Sequence, residues 1–385
     1  MSGSAHPSIG MVAGEPSGDL LAAMLVRELK HRAPTLPLQG IGGPKMLAQG
    51  FDAWYPMQKL AVNGYADVLR HLPELLNIRR TLRERWLAER PSVFVGVDAP
   101  DFNFALEGAL KRGGIPTVHF IGPSLWAWRG ERIHTIRESV SHMLVVFPFE
   151  QKIYQDAGVP VTYVGHPLAG VIPRVPDRAL ARRRLRIAPD HRVLALMPGS
   201  RAGEVRHLAP RFLQAAKLLQ QKDPSLRIWA PMANAERQAQ FEACAAEVGG
   251  LRHLHCLIGG SHDVLAACDT VLVASGTATL EAALFKRPMV ISYALPKVSW
   301  WIMRRKAYLP WVGLPNILCN EAIVPELLQD AATPRALADA AWTALTDEAH
   351  ARRIETRFTE LHDELVRDTS ALAAKVILEL ANHAD

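Results

Sequence analysis

Pro91-Ser92-Val93-Phe94-Val95-Gly96-Val97-Asp98-Ala99-Pro100-Asp101-Phe102-Asn103 decides how this chain folds. Its apolar, β-branched first half reads as a buried parallel strand. Asp98 and Asp101 then stand at the carboxyl end of that strand, where open α/β sheets keep their active-site crevice. The two carboxylates lie three residues apart around a proline-stiffened turn, so they are not expected to point the same way. One can face a substrate as a base while the other braces the loop. Asp-Pro turn chemistry alone also accounts for an isolated Asp-x-x-Asp, so the rest of the chain has to weigh between the two readings.

Outward from this stretch, strand-like runs alternate with helical patterns from end to end, as in βα units with parallel sheets. In the first half the strands are expected at Ser8–Ala13, Leu38–Ile41, Val93–Val97, Thr117–Ile121, Met143–Phe147 and Val161–Val164. Those of the second half are expected at Val193–Met197, Arg227–Pro231, His253–Leu257, Thr270–Ala274 and Met289–Tyr293. Pro173–Pro176 and the basic run Arg178–Arg186 read as the crossing between halves. At 385 residues the chain exceeds what one core usually serves. The expected architecture is therefore two doubly wound Rossmann-like domains with an interdomain cleft, residues 1–172 and 173–355. A helical tail from about Pro334 either closes the second domain or, as a helix over 356–385, crosses back to the first.

Composition narrows the function classes. Hydrophobic content of 49% with 21% charged residues describes an ordered globular protein. No secretory signal is readable at the N-terminus, and no run approaches the roughly 18 uncharged apolar residues of a spanning helix. Cys244, Cys256, Cys268 and Cys319 lack CxxC spacing, which points to free thiols in a reducing cytosol rather than to disulfides or zinc. The formal charge of +6 favours anionic partners without choosing among nucleic acid, phospholipid and phosphorylated substrate.

Four loops carry the candidate chemistry. The first βα turn, Ala13-Gly14-Glu15-Pro16-Ser17-Gly18-Asp19, offers close backbone approach at Gly14 and Gly18, and a helix cap at Ser17 or Asp19. It does not match GxGxxG, which disfavours a dinucleotide. Gly40-Ile41-Gly42-Gly43-Pro44 is a second glycine-rich turn. In the second half, Pro198-Gly199-Ser200-Arg201 ends a strand, and its amides, the helix dipole and the Arg201 guanidinium together suit a phosphate. Ser275, Gly276 and Thr277 open another helix after an apolar strand. Glu281, about one turn past Thr277, can accept hydrogen bonds from both hydroxyls of a ribose. An exposed first-turn acid favoured by the helix dipole is the plainer alternative for Glu281.

These stretches, together with Pro123-Ser124-Leu125-Trp126-Ala127-Trp128-Arg129, Val164-Gly165-His166-Pro167 and Leu314-Pro315-Asn316, resemble the lipid-A-disaccharide synthases, inverting glycosyltransferases of GT-B type. The matching motifs run in order from about residue 9 to 325. One departure is Pro16, where many relatives carry Thr or another residue. The resemblance implies transfer of the sugar of UDP-2,3-diacylglucosamine to the 6-hydroxyl of 2,3-diacylglucosamine 1-phosphate, giving UDP and the β-1,6-linked disaccharide 1-phosphate of lipid A biosynthesis. It implies a UDP-sugar as substrate, no cofactor, and peripheral association with the cytoplasmic face of the inner membrane. A homodimer stays open.

Under that reading Asp98 is the expected base and Asp101 the runner-up or brace, while Glu15 and Asp19 bind acceptor hydroxyls or orient the base. Gly199, Ser200, Arg201, Ser275, Gly276, Thr277, Glu281 and Asn316 form the UDP-donor set. Val68, Leu69, Leu72, Leu75 and Leu76, beside Arg79, Arg80, Arg83 and Arg85, fit either a core-facing amphipathic helix or an interfacial one. Trp300 and Trp301, before the basic triplet Arg304-Arg305-Lys306, form a second membrane candidate. Nucleic acid is not expected, because no RNP, helix-turn-helix or KH pattern accompanies these patches. Two rival classes remain. Another GT-B UDP-sugar enzyme, of the peptidoglycan N-acetylglucosaminyltransferase or UDP-N-acetylglucosamine 2-epimerase type, is countered by the Val97–Asn103 and Trp126–Trp128 motifs. A non-catalytic binding protein on the same frame would be expected to have lost its carboxylates. His119, His166 and His207 lack zinc-ligand spacing and are expected to pack in the core or loops. No Asp-x-Asp metal motif is present, so turnover is expected to survive EDTA; strict Mg²⁺ dependence in a UDP-release assay would contradict this.

Overall fold

The computed structural model describes residues 7–60, 65–127, 130–295, 300 and 308–382, without the side chains of 16–17 and 65–70. The chain divides into two compact units: residues 1–170 joined by 365–385, and residues 171–364.

In the first unit, β1 (Ile9–Ala13), β2 (Leu38–Gly42), β3 (Asp52–Pro56), β4 (Val93–Val97), β5 (Thr117–Phe120), β6 (His142–Val145) and β7 (Val161–Tyr163) form one sheet. Its order is β3-β2-β1-β4-β5-β6-β7, parallel throughout. Strand order reverses between β1 and β4, so the loops that follow these two strands diverge to opposite faces and leave a crevice at their carboxyl ends. The first-half strands match expectation within a residue or two, and β3 is added at an edge. Asp52-Ala-Trp-Tyr-Pro carries no β-branched run and ends in proline, which an edge strand tolerates because one side needs no ladder hydrogen bond.

Trp86 anchors this sheet. It is fully buried on the helix Tyr65–Glu89, meets Phe94 edge-on at 5.0 Å and Trp54 at 5.3 Å, and fills a slot that Gly10 and Gly40 leave open. A Cβ on Gly10 would stand 2.9 Å from the Trp86 ring and one on Gly40 3.0 Å from it. The glycines in these strands are thus the space that the indole occupies.

In the second unit, β8 (Val193–Met197), β9 (Arg227–Met232), β10 (Leu254–Ile258), β11 (Thr270–Ala274), β12 (Met289–Tyr293) and β13 (Glu326–Leu328) form a parallel sheet of order β10-β9-β8-β11-β12-β13. The reversal here falls between β8 and β11. Phe212, Phe241 and the leucines of the helix Ala202–Lys222 fill one face. The basic run at 178–186 is structural: Arg182 is buried, donating to Asp269, Ala267 O and Pro189 O.

The tail is not one helix. Helices Pro334–Thr346 and Glu348–Leu365 belong to the second unit up to residue 364, and Thr369–Asn382 packs on the helix Pro16–Arg32 of the first. The chain re-enters the first unit where His166 N donates to Leu365 O at 2.9 Å. Gly165, at φ 82°, is needed there because a Cβ would collide with Arg367. Val164-Gly165-His166-Pro167 is therefore a docking seam for the returning chain. The four cysteines are free, and Cys268 and Cys319 are buried. Among the described residues no helix is long and apolar enough to cross a membrane.

Candidate functional site

The chemistry-bearing residues collect at the two strand-order reversals, one in each unit. In the first, β4 ends at Val97, and Asp98 and Ala99 both take left-handed backbone, at φ 52° and 45°. Two consecutive non-glycine residues in this region hold strain of about 1–3 kcal/mol each, a feature that clusters at active sites. The strain is fixed by three hydrogen bonds. Asp98 N donates to Phe120 O at 2.9 Å, Asn103 N to Ala99 O at 3.0 Å, and Asn103 Nδ2 to Asp98 O at 2.8 Å. Burial pushes the Asp98 carboxyl above the usual carboxylate range, opposed by the Ala99 amide and by His119. A partly desolvated, proton-seeking carboxylate is the state a general base requires.

The first βα turn closes onto this loop. A Cβ at Gly14 would stand 3.0 Å from Ala99 Cβ, and one at Gly18 3.6 Å from Val97 O. Glu15 is exposed at the start of the helix Pro16–Arg32, beside this strand end. Asp101 is also exposed, on the first turn of the helix Pro100–Arg112, and is ion-paired with Arg132. Of the two carboxylates on this loop, the structure turns Asp101 outward and buries most of Asp98.

Asp19 does not belong with them. Only 1% of it is exposed, and its carboxylate accepts from Gly43 N at 2.9 Å, Lys45 N at 3.0 Å and Met46 N at 3.1 Å. With three of about four lone-pair sites taken by backbone donors, this buried carboxylate braces the two glycine-rich turns against each other. The structure thus places Asp19, expected at the acceptor side, as a buried brace behind that strand end.

In the second unit a recess of about 440 Å³ opens at the carboxyl ends of β8, β9 and β11, lined by Gly199, Ser200, Arg201, Gly276, Thr277 and Glu281 among others. Every one of its lining residues comes from the second unit. Gly276, at φ 149°, has nothing within 4 Å of where a Cβ would sit, and Thr277 is exposed on the first turn of the helix Thr277–Leu284. That helix therefore presents its free amides to open space, as an anion site requires. Arg201 is 78% exposed, with Nη1 donating to Glu204 Oε1 at 3.2 Å. Glu281 pairs with His262 Nε2 at 3.3 Å.

Several groups of the expected donor set have partners within the unit. Ser200 N and Arg201 N donate to Glu204 Oε2 at 3.0 and 3.2 Å, so these amides are satisfied within the turn. Arg201-Ala-Gly-Glu204 has the spacing of a capping box, the signal by which Glu204 could have been found. Ser275 Oγ donates to Val312 O at 2.9 Å and holds a neighbouring loop. Asn316 is fully buried: Nδ2 donates to Val324 O and Glu326 Oε1, and Oδ1 accepts from Val324 N, so it locks the approach to β13.

Of the membrane candidates, Leu72 and Leu76 are exposed at 40% and 45%, and Leu75 is half-buried. Farther along the same helix Ile78, Leu82 and Trp86 turn into the core. Leu76 shares a shallow groove with Arg79, Arg80, Arg83 and Arg112. Trp300 is partly exposed. The side chains of Val68 and Leu69, and all of Trp128, Arg129, Trp301 and 304–306, lie outside the described residues.

Two Rossmann-like units, each with its functional loops at a strand-order reversal, define the GT-B class. Solved structures of that frame overlay the chain at low identity. The UDP-GlcNAc 2-epimerase from Neisseria meningitidis bound to UDP-GlcNAc matches with TM-score 0.64 and 12% identity over 98% of this chain and 100% of that one. CalG4, the calicheamicin glycosyltransferase, matches with TM-score 0.61 and 16% identity over 98% and 99%. Such identities speak for the fold alone. Sequence is more specific: a family model described as lipid-A-disaccharide synthetase matches residues 9–379. The lipid-A-disaccharide synthase of Bordetella petrii is 60% identical over 98% of this chain and 99% of its own length. The chain belongs to the lipid-A-disaccharide synthase family.

If Asp19 is a brace, Asp19→Ala should lower the unfolding free energy by about 2–3 kcal/mol in urea melts, since buried hydrogen bonds to a charged group are lost. Asp19→Asn, which keeps an acceptor oxygen, should cost less. Loss of turnover at unchanged stability would restore the catalytic reading.

Proposed function

We propose that the protein condenses UDP-2,3-diacylglucosamine with 2,3-diacylglucosamine 1-phosphate, releasing UDP and the β-1,6-linked disaccharide 1-phosphate, with inversion at the anomeric carbon and no metal. The observation that carries this reading is the extent of the family match. It spans both units, so the strained acid of the first and the anion-suited recess of the second come as one set.

In the proposed reaction the acceptor 6-oxygen bonds to the donor anomeric carbon as the carbon–oxygen bond to the diphosphate breaks. Asp98 takes the hydroxyl proton, and UDP departs with the electron pair. A sugar hydroxyl does not ionise near pH 7, and a placed base supplies about 10²–10⁴-fold. Arg201, the Ser200 hydroxyl, the amides at Gly276 and Thr277, and the Thr277 hydroxyl supply donors for the charge growing on the leaving phosphate. Glu281 is assigned to the ribose, oriented by His262, and Glu15 to the acceptor side. Asp101, paired with Arg132, is assigned the brace.

Both substrates carry acyl chains, each buried CH₂ worth about 0.8 kcal/mol, so they stay at a surface and the enzyme has to work there. Exposed Leu72 and Leu76 beside the arginine groove, and the Trp300–Trp301 segment, are the proposed contacts with an anionic membrane on its cytoplasmic face.

Two measurements test this reading. UDP release from UDP-2,3-diacylglucosamine should require the acyl-sugar phosphate; release without acceptor would favour an epimerase-like or hydrolytic rival. Asp98→Asn should cut kcat by about 10²–10⁴-fold at saturating substrate, and near-normal turnover removes Asp98 as the base. Separately, the protein should co-float with anionic vesicles at low salt and come off as ionic strength rises. Leu72→Ser combined with Leu76→Ser should weaken that binding, whereas a wild-type chain left wholly in the supernatant contradicts the membrane assignment.

A further inference from the structure

The second unit carries another recess, of about 560 Å³, that the proposed reaction does not use. Its lining includes Asp269 and Pro288, the residues just before β11 and β12. It therefore opens at the amino ends of these parallel strands. The edge that carries Gly276 and Thr277 is one strand length away, about 17 Å. Cations crowd one wall. Arg178 and Arg182 both pair with Asp269, whose Oδ2 also accepts from Val193 N at 2.7 Å. Three donors thus already draw on that carboxylate. Arg174, also in the lining, is held by Asp363 in two bonds of 2.7 Å.

Lys286 and Arg287 stand on the same wall, and among the described residues neither has an ion-pair partner. Lys286 is buried; its Nζ donates to Leu284 O and lies 2.7 Å from His362 Nδ1. Burial, with Arg174 and Arg287 near, pushes its ammonium down to about 8, against the pull of Asp363 and Glu355. Arg287 Nη2 donates to Ala266 O at 3.2 Å, and its Nε is buried with no partner. Buried cations without a counter-charge are costly. The attraction of cations to a helix C-terminus accounts for Lys286 on Leu284 O, at the end of the helix Thr277–Leu284. It accounts neither for Arg287, which bonds to another element, nor for the Lys286 backbone. At φ 59° that position suits glycine or asparagine, so a lysine there is present for its side chain. The acids of the facing helix do not neutralise the two. Glu348 pairs with Arg352, Asp347 Oδ1 accepts from His350 N, and Glu355 is exposed. Among the described residues no cluster of acids, histidines or cysteines could hold a metal.

We propose that this recess binds a phosphate group, received by Lys286 and Arg287 with Arg178 beside them, at a site separate from the recess proposed for the UDP-sugar. A phosphate supplies one counter-charge to both cations. Its oxygens accept from Arg287 Nε and a neighbouring guanidinium nitrogen in parallel, the geometry that arginine favours. An ammonium has three protons, and the contacts with Leu284 O and His362 leave Lys286 one to give. The ligand is a small phosphate or phosphomonoester, free in solution or carried on a lipid headgroup.

Inorganic phosphate is the probe, added to the full chain in phosphate-free buffer and followed by thermal unfolding and titration calorimetry. The parent should gain stability as phosphate is added. Arg287→Met keeps much of the bulk and removes the charge, and it should weaken phosphate binding about tenfold or more. Without phosphate it should unfold at the same temperature as the parent or a higher one, because an uncompensated cation is gone. An arginine present for structure alone would give the opposite: a lower unfolding temperature with the phosphate response intact. Lys286→Asn, which tolerates the left-handed backbone, should also weaken binding and carries the test if Arg287→Met does not fold. A variant that responds to phosphate as the parent does, or a parent with no response, overturns the proposal. Vesicles containing phosphatidic acid separate the two sources. If Arg287→Met loses the phosphate response yet co-floats as the parent does, the ligand is a soluble phosphate; if co-flotation falls as well, it is a headgroup.

Discussion

Strand order is the constraint on which the rest of this molecule depends. In each unit the chain builds parallel strands outward from one side of the starting strand, then crosses and builds outward from the other. The two loops flanking the crossing point cannot pack on the same face, and the groove between them needs no side chain to hollow it out. Gly14 and Asp98 flank it in the first unit, Gly199 and Gly276 in the second. Topology thus sets where reactive groups stand before any of them is chosen. The left-handed backbone of Asp98 and Ala99 follows, because a strand must turn at once into a helix lying across the same face.

Polar residues near these grooves divide by where their hydrogen-bonding capacity goes. Asp19, Ser275 and Asn316 have theirs taken by backbone groups, and each ties one loop to another. Arg201 and Thr277 face solvent, and Asp98 keeps a carboxyl that burial makes reluctant to lose its proton. A motif residue is a brace when its partners are amides at fixed distances, and an agent when its polar atoms face open space.

The sequence was a good guide to the interior strands. Val93–Val97, Val193–Met197, Thr270–Ala274 and Met289–Tyr293 stand where their β-branched runs place them, because strands covered on both faces must be apolar throughout. β3 and β13 were not legible. Each is an edge strand, half-covered or only three residues long, and short-range composition does not mark it. Asp98 could be read as the end of a strand. The roles of Asp19 and Asn316 could not, since what fills a carboxylate or an amide is a backbone group brought near only by folding. The Glu107–His119 contact spans 12 residues and joins a helix to a strand, so no local pattern announces it.

The discontinuous first unit has a consequence for how the protein comes into being. Its opening segment lacks the helix Thr369–Asn382 until everything between has been translated, because residues 171–364 form a unit of their own. A nascent chain paused midway would expose the flank of the helix Pro16–Arg32, a bare apolar surface that aggregation or a chaperone can reach. The Gly165–Arg367 seam is then the last piece to set, and a ribosome's pace along the intervening message governs how long the early half waits for its clasp.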